Sequence, residues 1–355
     1  EAWKYQSRAL RYCYLDLGHA MASIRAAAQG LGLFVLFVGE FYDDNIRQYL
    51  CLDKTDEYPL LFLAIDTKQP ILSTRREMIH KDTINASMHI NRLSRKEVDY
   101  PLITQAHALT TETFKSPLHK KGNGNLLIPL FKKEGTCISN FKIHEGMYIQ
   151  EYPLKWTIRH RRSAIDFDGE TTMSINTFHY LMRLLCTPYK ADYLIPESPP
   201  LIIPYLYVHR VEGLERGLYC LDRTNKQLFF LSRGDMQYIA KELSLNQDIA
   251  SDSAFAISFI SNFDYALTTY GNRGYRYIHY EAGFLGQSLY SGATAAGFDA
   301  TGIGAFIDDE VHTFLKTPSG RQVVYHFTVG KRIDDSRIST LPAYDTIHDN
   351  EEDMK

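Results

Sequence analysis

Apolar residues recur at helical spacing in two stretches of the chain, residues 17–31 and residues 282–296. Several of them are alanines, and small side chains on a helix face allow a second helix to approach closely. Gly32 and Gly297 follow the two stretches directly, and glycine at this point is typical of a helix end. The pattern therefore predicts two similar helices, each with a face suited to packing against another helix. The apolar positions are Leu17, Ala20, Met21, Ile24, Ala27, Ala28 and Leu31 in the first stretch, and Ala282, Leu285, Leu289, Ala293 and Ala296 in the second.

The two stretches belong to longer segments that repeat each other at a single offset. The offset is 276 minus 11, or 265 positions, and it pairs residues without a gap through a helix, a strand, a second helix and a closing strand. Chance seldom aligns several successive elements, so the sequence predicts an internal repeat. Asp43-Asp44 and Asp308-Asp309 open the second helix of each segment, and we interpret these aspartates as N-caps rather than metal ligands. The paired residues include Arg8 with Arg273, Arg11 with Arg276, Gly18 with Gly283, Asp43 with Asp308 and Phe62 with Phe327.

The second segment has a front half that the first segment lacks. Helices are predicted over residues 174–185, with Ser174 as the N-cap, and over residues 235–243. Strands are predicted at residues 206–211, 218–222, 227–231 and 254–259. Ten residues precede Arg11, so we expect the first copy to be present only as its C-terminal half. The predicted regions are the half domain (1–66), a connecting segment (67–150) with a helical run after Pro101, a complete second domain (151–340) and an acidic tail (341–355).

Composition excludes several functional classes. The formal net charge is -3, so no overall basic field favours nucleic acid, and the apolar run at residues 31–38 is too short to span a bilayer. The five cysteines form no CxxC pair, which indicates reduced thiols in a cytoplasmic protein. The thirteen histidines show no metal-ligand spacing. We therefore expect a cytoplasmic protein with no metal site and no nucleic-acid or membrane partner.

The densest group of hydrogen-bond donors lies in the stretch TIRHRRSAIDF, residues 157–167. Planar guanidinium groups are well suited to binding a phosphate. An exposed basic turn explains the same composition equally well, so both interpretations stay open. The donors are Arg159, Arg161, Arg162 and Ser163.

Three other stretches are chemical candidates. Lys331 and Arg332 follow the closing strand and would complete a phosphate clamp if the first and last segments of the domain are neighbours. The glycines of GIGAF, residues 302–306, would let the backbone approach a flat ligand. The Gly/Lys-rich loop at residues 115–125 is more typical of a solvated connector than of an anion site.

At the repeated segments the sequence resembles the nitroreductase-like flavoprotein superfamily, and more narrowly the SagB-type dehydrogenases, which oxidise azolines in modified peptides. The motifs are TYGNRGYRYIHYEAGFLGQSLYSGATAAGF with GIGAFIDDEV in the second copy, and KYQSRALRYCYLDLGHAMASIRAAAQGLGL with GEFYDD in the first. The likeness covers residues 1 to about 66 and about 89 to 337. It implies an α+β nitroreductase-like fold in which a tandem repeat forms a pseudo-dimer, paired through the long helices, with FMN bound at the interface.

The resemblance also implies which residues bind FMN. The RRS motif looks like the family's N-terminal phosphate motif, although Ile165 stands where a basic residue is usual. The loop after the second-copy strand matches the one whose backbone faces the isoalloxazine, and the cations after the closing strand look like C-terminal phosphate ligands. The implied FMN-binding residues are Arg161, Arg162, Ser163, Ile303, Gly304, Ala305, Lys331 and Arg332.

A Lys-Tyr pair is implicated in catalysis in the azoline oxidases, as proton acceptor and orienter beside the flavin. Lys4 and Tyr5 match this pair in the first copy. In the second copy Thr269 replaces the lysine and only Tyr270 remains. The resemblance thus implies Lys4, Tyr5 and Tyr270 as the candidate catalytic residues.

Three functions remain open at this stage. The leading hypothesis is an FMN-dependent oxidoreductase that passes hydride between a small molecule or modified peptide and flavin, as an intramolecular pseudo-dimer or a homodimer. The alternative is a catalytically degenerate scaffold or peptide-binding partner in a maturation complex, favoured by Ile165, Thr269 and the altered flavin loop ESPPLIIP at residues 197–204. A third is an enzyme that reduces small electrophiles with NAD(P)H.

Overall fold

The computed structural model describes residues 2–52, 57–68, 98–111, 139–144, 149, 151–195 and 198–339. The helices are α1 (Ala2–Tyr5), α2 (Ala9–Gly30), α3 (Asp43–Tyr49), α4 (Pro101–Leu109), α5 (Leu154–His160), α6 (Ile175–Cys186), α7 (Gln237–Leu243), α8 (Asp248–Ser251), α9 (Phe263–Tyr270), α10 (Gly274–Ala295) and α11 (Asp308–Leu315). The strands are β1 (Phe34–Val38), β2 (Phe62–Asp66), β3 (Ser139–Lys142), β4 (Ile202–Val208), β5 (Gly217–Asp222), β6 (Gln227–Arg233), β7 (Phe255–Asn262), β8 (Asp299–Ile303) and β9 (Arg321–Gly330). No helix within these ranges is long and apolar enough to cross a membrane.

The chain divides into two compact units that interleave along the sequence. Unit 1 comprises residues 1–127, 188–202 and 261–284, and unit 2 comprises residues 128–187, 203–260 and 285–355. Most of the connecting segment, including the loop at residues 115–125, and the acidic tail lie outside the described residues. The domain boundaries drawn from the sequence therefore stay predictions.

Unit 1 contains the antiparallel pair β1–β2, with Val38 opposite Phe62, and helix α2 packed against the first half of α10. Nearly all of the seven-stranded sheet belongs to unit 2, in the order β3-β6-β5-β4-β7-β9-β8. Every residue of β4 and β7 is buried, and so are all residues of β9 except one. The central strands are therefore covered on both faces. Continuous apolar runs rather than strict alternation encode strands of this kind.

The bounds of the elements follow the repeat offset closely. Helices α2 and α10 both have 22 residues, and each end of one lies 265 positions from the corresponding end of the other, as do the ends of β1 and β8. Residues with left-handed backbone angles also coincide. These pairs are Gln6 (φ +48°) with Gly271 (φ +61°), Gly32 (φ +71°) with Gly297 (φ +75°), and Cys51 (φ +57°) with Lys316 (φ +51°).

The closing strands depart from the single offset. Val38 lies opposite Phe62 in the first segment, whereas Ile303, the counterpart of Val38, lies opposite His326 in the second. The structural counterpart of Phe62 is therefore His326, and the ungapped pairing of Phe62 with Phe327 was wrong. The second segment is therefore one residue shorter between the two strands. The sequence alone did not reveal this, because aligning Phe62 with position 326 or with position 327 places it in the same strand.

The predicted caps are partly right. Ser174 caps α6 by accepting a hydrogen bond from the Thr177 N–H at 3.2 Å, as predicted. The interpretation of Asp43-Asp44 and Asp308-Asp309 as N-caps was wrong, because each pair forms the first two residues inside its helix and the N-cap is Tyr42 or Ile307. A carboxylate in the first turn still complements the helix dipole.

Most predicted elements are present, with shifted ends. The helical run after Pro101 is α4, and the predicted strand at 206–211 is β4, which begins at Ile202. The sequence did not predict α5 or β3. Both are short and mostly exposed, so they lack the apolar periodicity on which such predictions depend.

Candidate functional site

Residues 161–168 form an extended segment that follows α5 and runs along the edge of β8 in unit 2. Ser163 forms a parallel bridge with Ala300, and the Ala164 N–H donates to the Ala300 carbonyl at 3.0 Å. The Asp168 N–H donates to the Lys331 carbonyl at 2.9 Å. The first and last segments of the predicted second domain are therefore neighbours, which was the condition for a shared clamp.

Tyr290 of α10 joins this segment to the end of β8. Its hydroxyl lies 3.0 Å from the Ser163 hydroxyl and accepts a hydrogen bond from the Gly302 N–H at 2.8 Å. The Arg161 guanidinium lies over the Tyr290 ring, with Cζ 5.0 Å from the ring centroid, a cation–π geometry. Sequence reasoning missed Tyr290, although its position on the repeated helix could have drawn attention to it.

Arg161, Arg162, Lys331 and Arg332 form what we call the basic cluster. The Arg162 guanidinium donates to the carbonyls of Arg159 and Arg161 at 3.0 and 2.9 Å, and the Lys331 ammonium donates to the Gly297 carbonyl at 2.9 Å. Only Arg332 has carboxylate partners within the described part of unit 2, at 3.2 Å from Asp299 and 2.9 Å from Asp334. The cluster therefore keeps more positive charge than its acidic neighbours neutralise.

Burial and ion pairing oppose each other at Asp299. Burial raises the pKa of its carboxyl above the usual value, and the positive charges of Arg332 and Lys331 pull it down. The net effect is a raised pKa. Asp299 is thus held close to Arg332 at some cost in desolvation.

The loop after β8 contains the three predicted backbone contacts. Ile303 is buried as the last residue of β8, whereas Ala305 is exposed and its carbonyl accepts from Gln247 Nε2 at 3.3 Å. At Gly302, a side chain would collide with the hydroxyl of Tyr325. This glycine therefore makes room for the chain's own tyrosine. The expectation that the glycines of GIGAF let the backbone approach a ligand stays a prediction.

Lys4 and Tyr5 lie at the end of α1 in unit 1. Lys4 is exposed, and its Nζ is 5.1 Å from the centroid of the Tyr5 ring. The Tyr5 ring in turn lies against Tyr12, with centroids 4.1 Å apart. These contacts hold the tyrosine more firmly than the lysine.

Tyr270 lies at the end of α9, at the counterpart position of Tyr5. Burial raises the pKa of its hydroxyl to about 12, and hydrogen bonding with Ser198 and the backbone of Ile195 opposes this shift. Thr269 beside it is fully buried, and its hydroxyl has no hydrogen-bond partner among the residues that the structure describes. The position that carries lysine in the first copy thus holds a small, enclosed side chain in the second.

The structure places the predicted residues in two groups. Lys4, Tyr5 and Tyr270 belong to unit 1, and the eight predicted FMN-binding residues belong to unit 2. Within unit 2, Ser163 of the RRS motif pairs with Ala300 of β8. In the same segment Phe167 pairs with Arg332, and Asp168 bonds to the backbone of Lys331.

A buried ionic cluster in unit 1 was also missed. The Asp43 carboxylate accepts from Arg273 Nη1 at 2.5 Å and from Arg276 Nη1 at 3.3 Å, and all three side chains are at most 2% exposed. Arg273 Nε also donates to the Gly39 carbonyl at 2.8 Å, and Arg276 Nε donates to the Thr110 hydroxyl at 2.9 Å. The repeated Arg-x-x-Arg spacing and the repeated aspartate were the signals, because they recur together in both copies.

The loop after β1 is the counterpart of the loop after β8, and its backbone donors are already engaged. The Gly39 N–H donates to Asp192 Oδ1 at 2.8 Å, and the Glu40 N–H lies 3.3 Å from both oxygens of the same carboxylate. The Tyr193 ring covers Gly39 and stacks on Tyr277 at 3.8 Å between centroids. In the first copy, the chain itself therefore occupies the space in front of this loop.

Glu281 is the acid of the repeated acid-x-Gly step. Its carboxylate accepts from the backbone N–H groups of Leu201 and Ile202 at 3.2 and 3.3 Å. It is buried, so these bonds offset part of its desolvation. The acid therefore holds the interior of the ESPPLIIP segment. Glu197, the first residue of that segment, lies outside the described residues.

Comparison with known proteins supports this fold. Residues 211–331 match the model of the nitroreductase family. A curated protein of Methanocaldococcus jannaschii, named as a nitroreductase, is 28% identical over 112 residues, which are 32% of this chain and 57% of the relative. The match thus spans little more than half the length of that relative.

A solved structure extends the likeness to most of the chain. The crystal structure of a protein from Anabaena variabilis, described as a nitroreductase, superposes with a TM-score of 0.71 and 24% identity. The alignment covers 94% of this chain and 67% of that chain. The mixed helix and sheet architecture is therefore the nitroreductase fold, with a partial first copy.

Proposed function

We propose that the chain is an FMN-dependent oxidoreductase, built as a tandem pseudo-dimer, that passes hydride between an organic substrate and flavin. The observation that supports it most directly is the basic cluster of unit 2, whose residues belong to the first and last segments of the predicted second domain, and these segments are neighbours. The names of the relatives point to the same class of chemistry.

The residues of the basic cluster fit the phosphate of FMN. Arg161, Arg162 and Lys331 have no carboxylate partner among the described residues, so their charge is available to a phosphate dianion. The Ser163 hydroxyl adds a neutral donor or acceptor beside Tyr290. Charge-assisted bonds of this kind are among the strongest polar contacts in proteins. We assign phosphate binding to Arg161, Arg162, Ser163, Lys331 and Arg332.

The backbone of Ile303, Gly304 and Ala305 is the proposed contact for the ring system. The flavin, when bound, would supply the hydride acceptor and donor for the reaction. The side chain of Ile303 is buried, so we assign the contact of this residue with the ring system to its main chain.

Proton handling is assigned to Lys4, Tyr5 and Tyr270. The exposed Lys4 ammonium can exchange its proton with substrate or water, and Tyr5 beside it can orient that exchange. With a pKa of about 12, Tyr270 keeps its proton at neutral pH. It would therefore act as a hydrogen-bond donor that positions a group rather than as a base.

We further propose one flavin per chain. The donors of Gly39 and Glu40, the counterparts of Gly304 and Ala305, already bind Asp192, and Tyr193 fills the space at Gly39. A second flavin would have to break these contacts.

The second candidate function is the degenerate scaffold or peptide-binding partner. Ile165 is 64% exposed where a basic residue is usual in the family that the sequence resembles, and the buried Thr269 cannot replace a catalytic lysine. An azoline in a modified peptide is the substrate class under the first function, and the same peptide would be a bound partner under the second.

Absorption spectroscopy with stoichiometry tests the proposal. Purified full-length chain, incubated with FMN and passed over a desalting column, should retain about one flavin per chain with a bound-flavin spectrum. Anaerobic reduction by NAD(P)H, or by an azoline peptide, then identifies the reductant. A chain that remains colourless with excess FMN would contradict the proposed oxidoreductase function. Peptide binding without flavin turnover would support the alternative function as a scaffold.

A further inference from the structure

A pocket of about 410 Å³ lies in unit 1, between the end of α2, strand β1 and the segment at residues 188–190. Its walls combine cationic, amide and aromatic side chains with the backbone of the β1 edge. The lining residues that matter here are Arg25, Gln29, Val35, Tyr189 and Lys190. None of the predicted flavin-binding or catalytic residues belongs to this lining.

The outer edge of β1 is paired at only one end. The Phe37 N–H donates to the Lys190 carbonyl at 3.1 Å, and its carbonyl accepts from the Asp192 N–H at 2.9 Å. Alternate residues of an antiparallel strand turn their backbone groups to opposite sides, so Val35 faces the same outer side as Phe37. Among the described residues no group pairs with Val35 there. A short piece of unpaired strand edge therefore borders the pocket.

Unit 2 shows how the corresponding edge is used in the second copy. Ala300 is the counterpart of Val35, and it pairs in parallel with Ser163 of an extended segment. The Ser163 side chain lies 3.0 Å from the hydroxyl of Tyr290, which is the counterpart of Arg25. The same edge in the second copy thus accepts an extended segment and directs one of its side chains at position 290.

The charge of the pocket selects the side chain that would fit. Arg25 and Lys190 are the charged residues of the lining, and the lining includes no carboxylate. Within the described ranges Arg25 makes no hydrogen bond or ion pair, and its Cζ lies 5.5 Å from the centroid of the Phe284 ring. Burial lowers the pKa of its guanidinium, which reflects desolvation without a compensating acid.

We propose that unit 1 binds an extended peptide segment in trans, which pairs in parallel with Val35 and places an acidic side chain against Arg25 and Lys190. Strand addition of this kind takes its affinity from main-chain bonds and its specificity from a side-chain pocket. A small anion would satisfy the cations but leave the strand edge unpaired. The site is separate from flavin binding, so it stands or falls independently of the proposed function.

Fluorescence anisotropy with a synthetic peptide tests this site on the full-length chain. The probe is a fluorescein-labelled, capped hexapeptide of alternating threonine and valine with one central aspartate. We expect saturable binding, and about ten-fold or greater weakening for the Arg25→Gln variant, as for loss of one charge-assisted hydrogen bond. The matched control, Arg337→Gln at an exposed arginine of unit 2, should bind as the native chain does.

Two modified peptides test the two halves of the proposal without changing the protein. A lysine in place of the aspartate should abolish binding, and N-methylation of the backbone amide nearest the aspartate should weaken it about ten-fold or more. Equal binding of the N-methylated peptide, with displacement by inorganic phosphate, would show a simple anion site and overturn strand pairing. Sedimentation would also detect dimerisation of the chain. If probe binding falls as the chain dimerises, a second copy of the chain occupies the strand edge, and the proposal is overturned.

Discussion

Gly18 of α2 and Gly283 of α10 lie directly against each other within unit 1. A β-carbon built on Gly18 would lie 2.9 Å from Gly283 Cα, and one built on Gly283 would lie 3.0 Å from Gly18 Cα. The contacts are reciprocal. The β-carbon on Gly18 would also meet the Tyr280 carbonyl, and the β-carbon on Gly283 would meet the carbonyl of Leu15, which is the counterpart of Tyr280. Equivalent residues of the two copies thus meet as they do across a two-fold axis.

This close approach predicts that alanine at either glycine destabilises the fold. The added methyl group would collide with backbone atoms, which cannot rotate away, so we expect Gly18→Ala or Gly283→Ala to cost about 2–4 kcal/mol of unfolding free energy. Urea titration followed by circular dichroism measures this. Ala20→Ser, on the exposed part of α2, is the control and should change the free energy by less than about 0.5 kcal/mol. Equal stability of the glycine and control variants would contradict the close contact.

The charge of Asp43 should be essential to the stability of unit 1. Asp43→Asn leaves Arg273 and Arg276 buried without their carboxylate, so we expect a loss of about 3–5 kcal/mol. Asp44→Asn is the matched control, because Asp44 is the exposed neighbour in the same helical turn. Thermal unfolding of both variants provides the comparison, and a small effect at Asp43 would mean that the arginines find other partners.

Acid should destabilise the protein through His107. Burial and the positive charge of Arg276 lower the pKa of His107 from 6.5 to about 4 in the folded chain. Between these values the unfolded chain binds a proton that the folded chain does not, so the stabilisation is complete above pH 6.5 and is lost as the pH falls towards 4. His107→Gln should reduce the slope of unfolding free energy against pH by up to about 1.4 kcal/mol per pH unit. An equal slope in His107→Gln and in the exposed control His160→Gln would contradict the assignment.

The basic cluster should distinguish FMN from riboflavin, which lacks the phosphate. We expect Arg161→Gln and Lys331→Gln each to weaken FMN binding about 10- to 100-fold while leaving riboflavin affinity unchanged, because only phosphate contacts are removed. Quenching of flavin fluorescence measures both affinities. Arg337→Gln, at an exposed arginine outside the cluster, is the control. If both ligands weaken equally, the cluster supports the fold rather than the phosphate.

The proposed proton-transfer residues should affect turnover without affecting flavin content. Lys4→Gln and Tyr5→Phe are each expected to lower kcat by about 10²- to 10⁴-fold, the usual range for a positioned acid or base. Lys68→Gln, at an exposed lysine of unit 1, is the control. Turnover with an azoline peptide and the flavin spectrum are measured on the same samples. Unchanged kcat in both variants would remove α1 from the proposed site.

The fold was largely predictable because each element of the repeat could be recognised in two copies of the pattern. The 22-residue helices, their terminal glycines and the strands that follow them were visible as repeated patterns. The one-residue slip at His326 was not visible, because an apolar strand looks the same when it is shifted by one position. Only the hydrogen-bonded register of β8 and β9 distinguishes the two alignments.

The candidate site was less predictable, because its geometry depends on contacts distant in sequence. The neighbourhood of the domain's first and last segments could be expected from domain termini, and in the structure the Asp168 N–H donates to the Lys331 carbonyl. The repeat marked the positions of Tyr290 and Asp43 but not their partners, since only the fold brings Ser163 to the tyrosine and Arg273 to the aspartate. Asp192 is similar, because it occupies the Gly39 loop from more than a hundred residues away.

Residues with positive φ angles occupy equivalent positions in the two copies even where the residue types differ. Gln6 keeps the backbone angle of Gly271, and Cys51 and Lys316 share another, although none of these residues is a glycine except Gly271. A non-glycine residue in this conformation costs about 1–2 kcal/mol, so contacts of the surrounding chain must stabilise these φ angles. The surrounding chain path thus takes the same turn in both copies although the side chains differ. At these two positions the backbone of the copies is therefore more alike than the side chains that it carries.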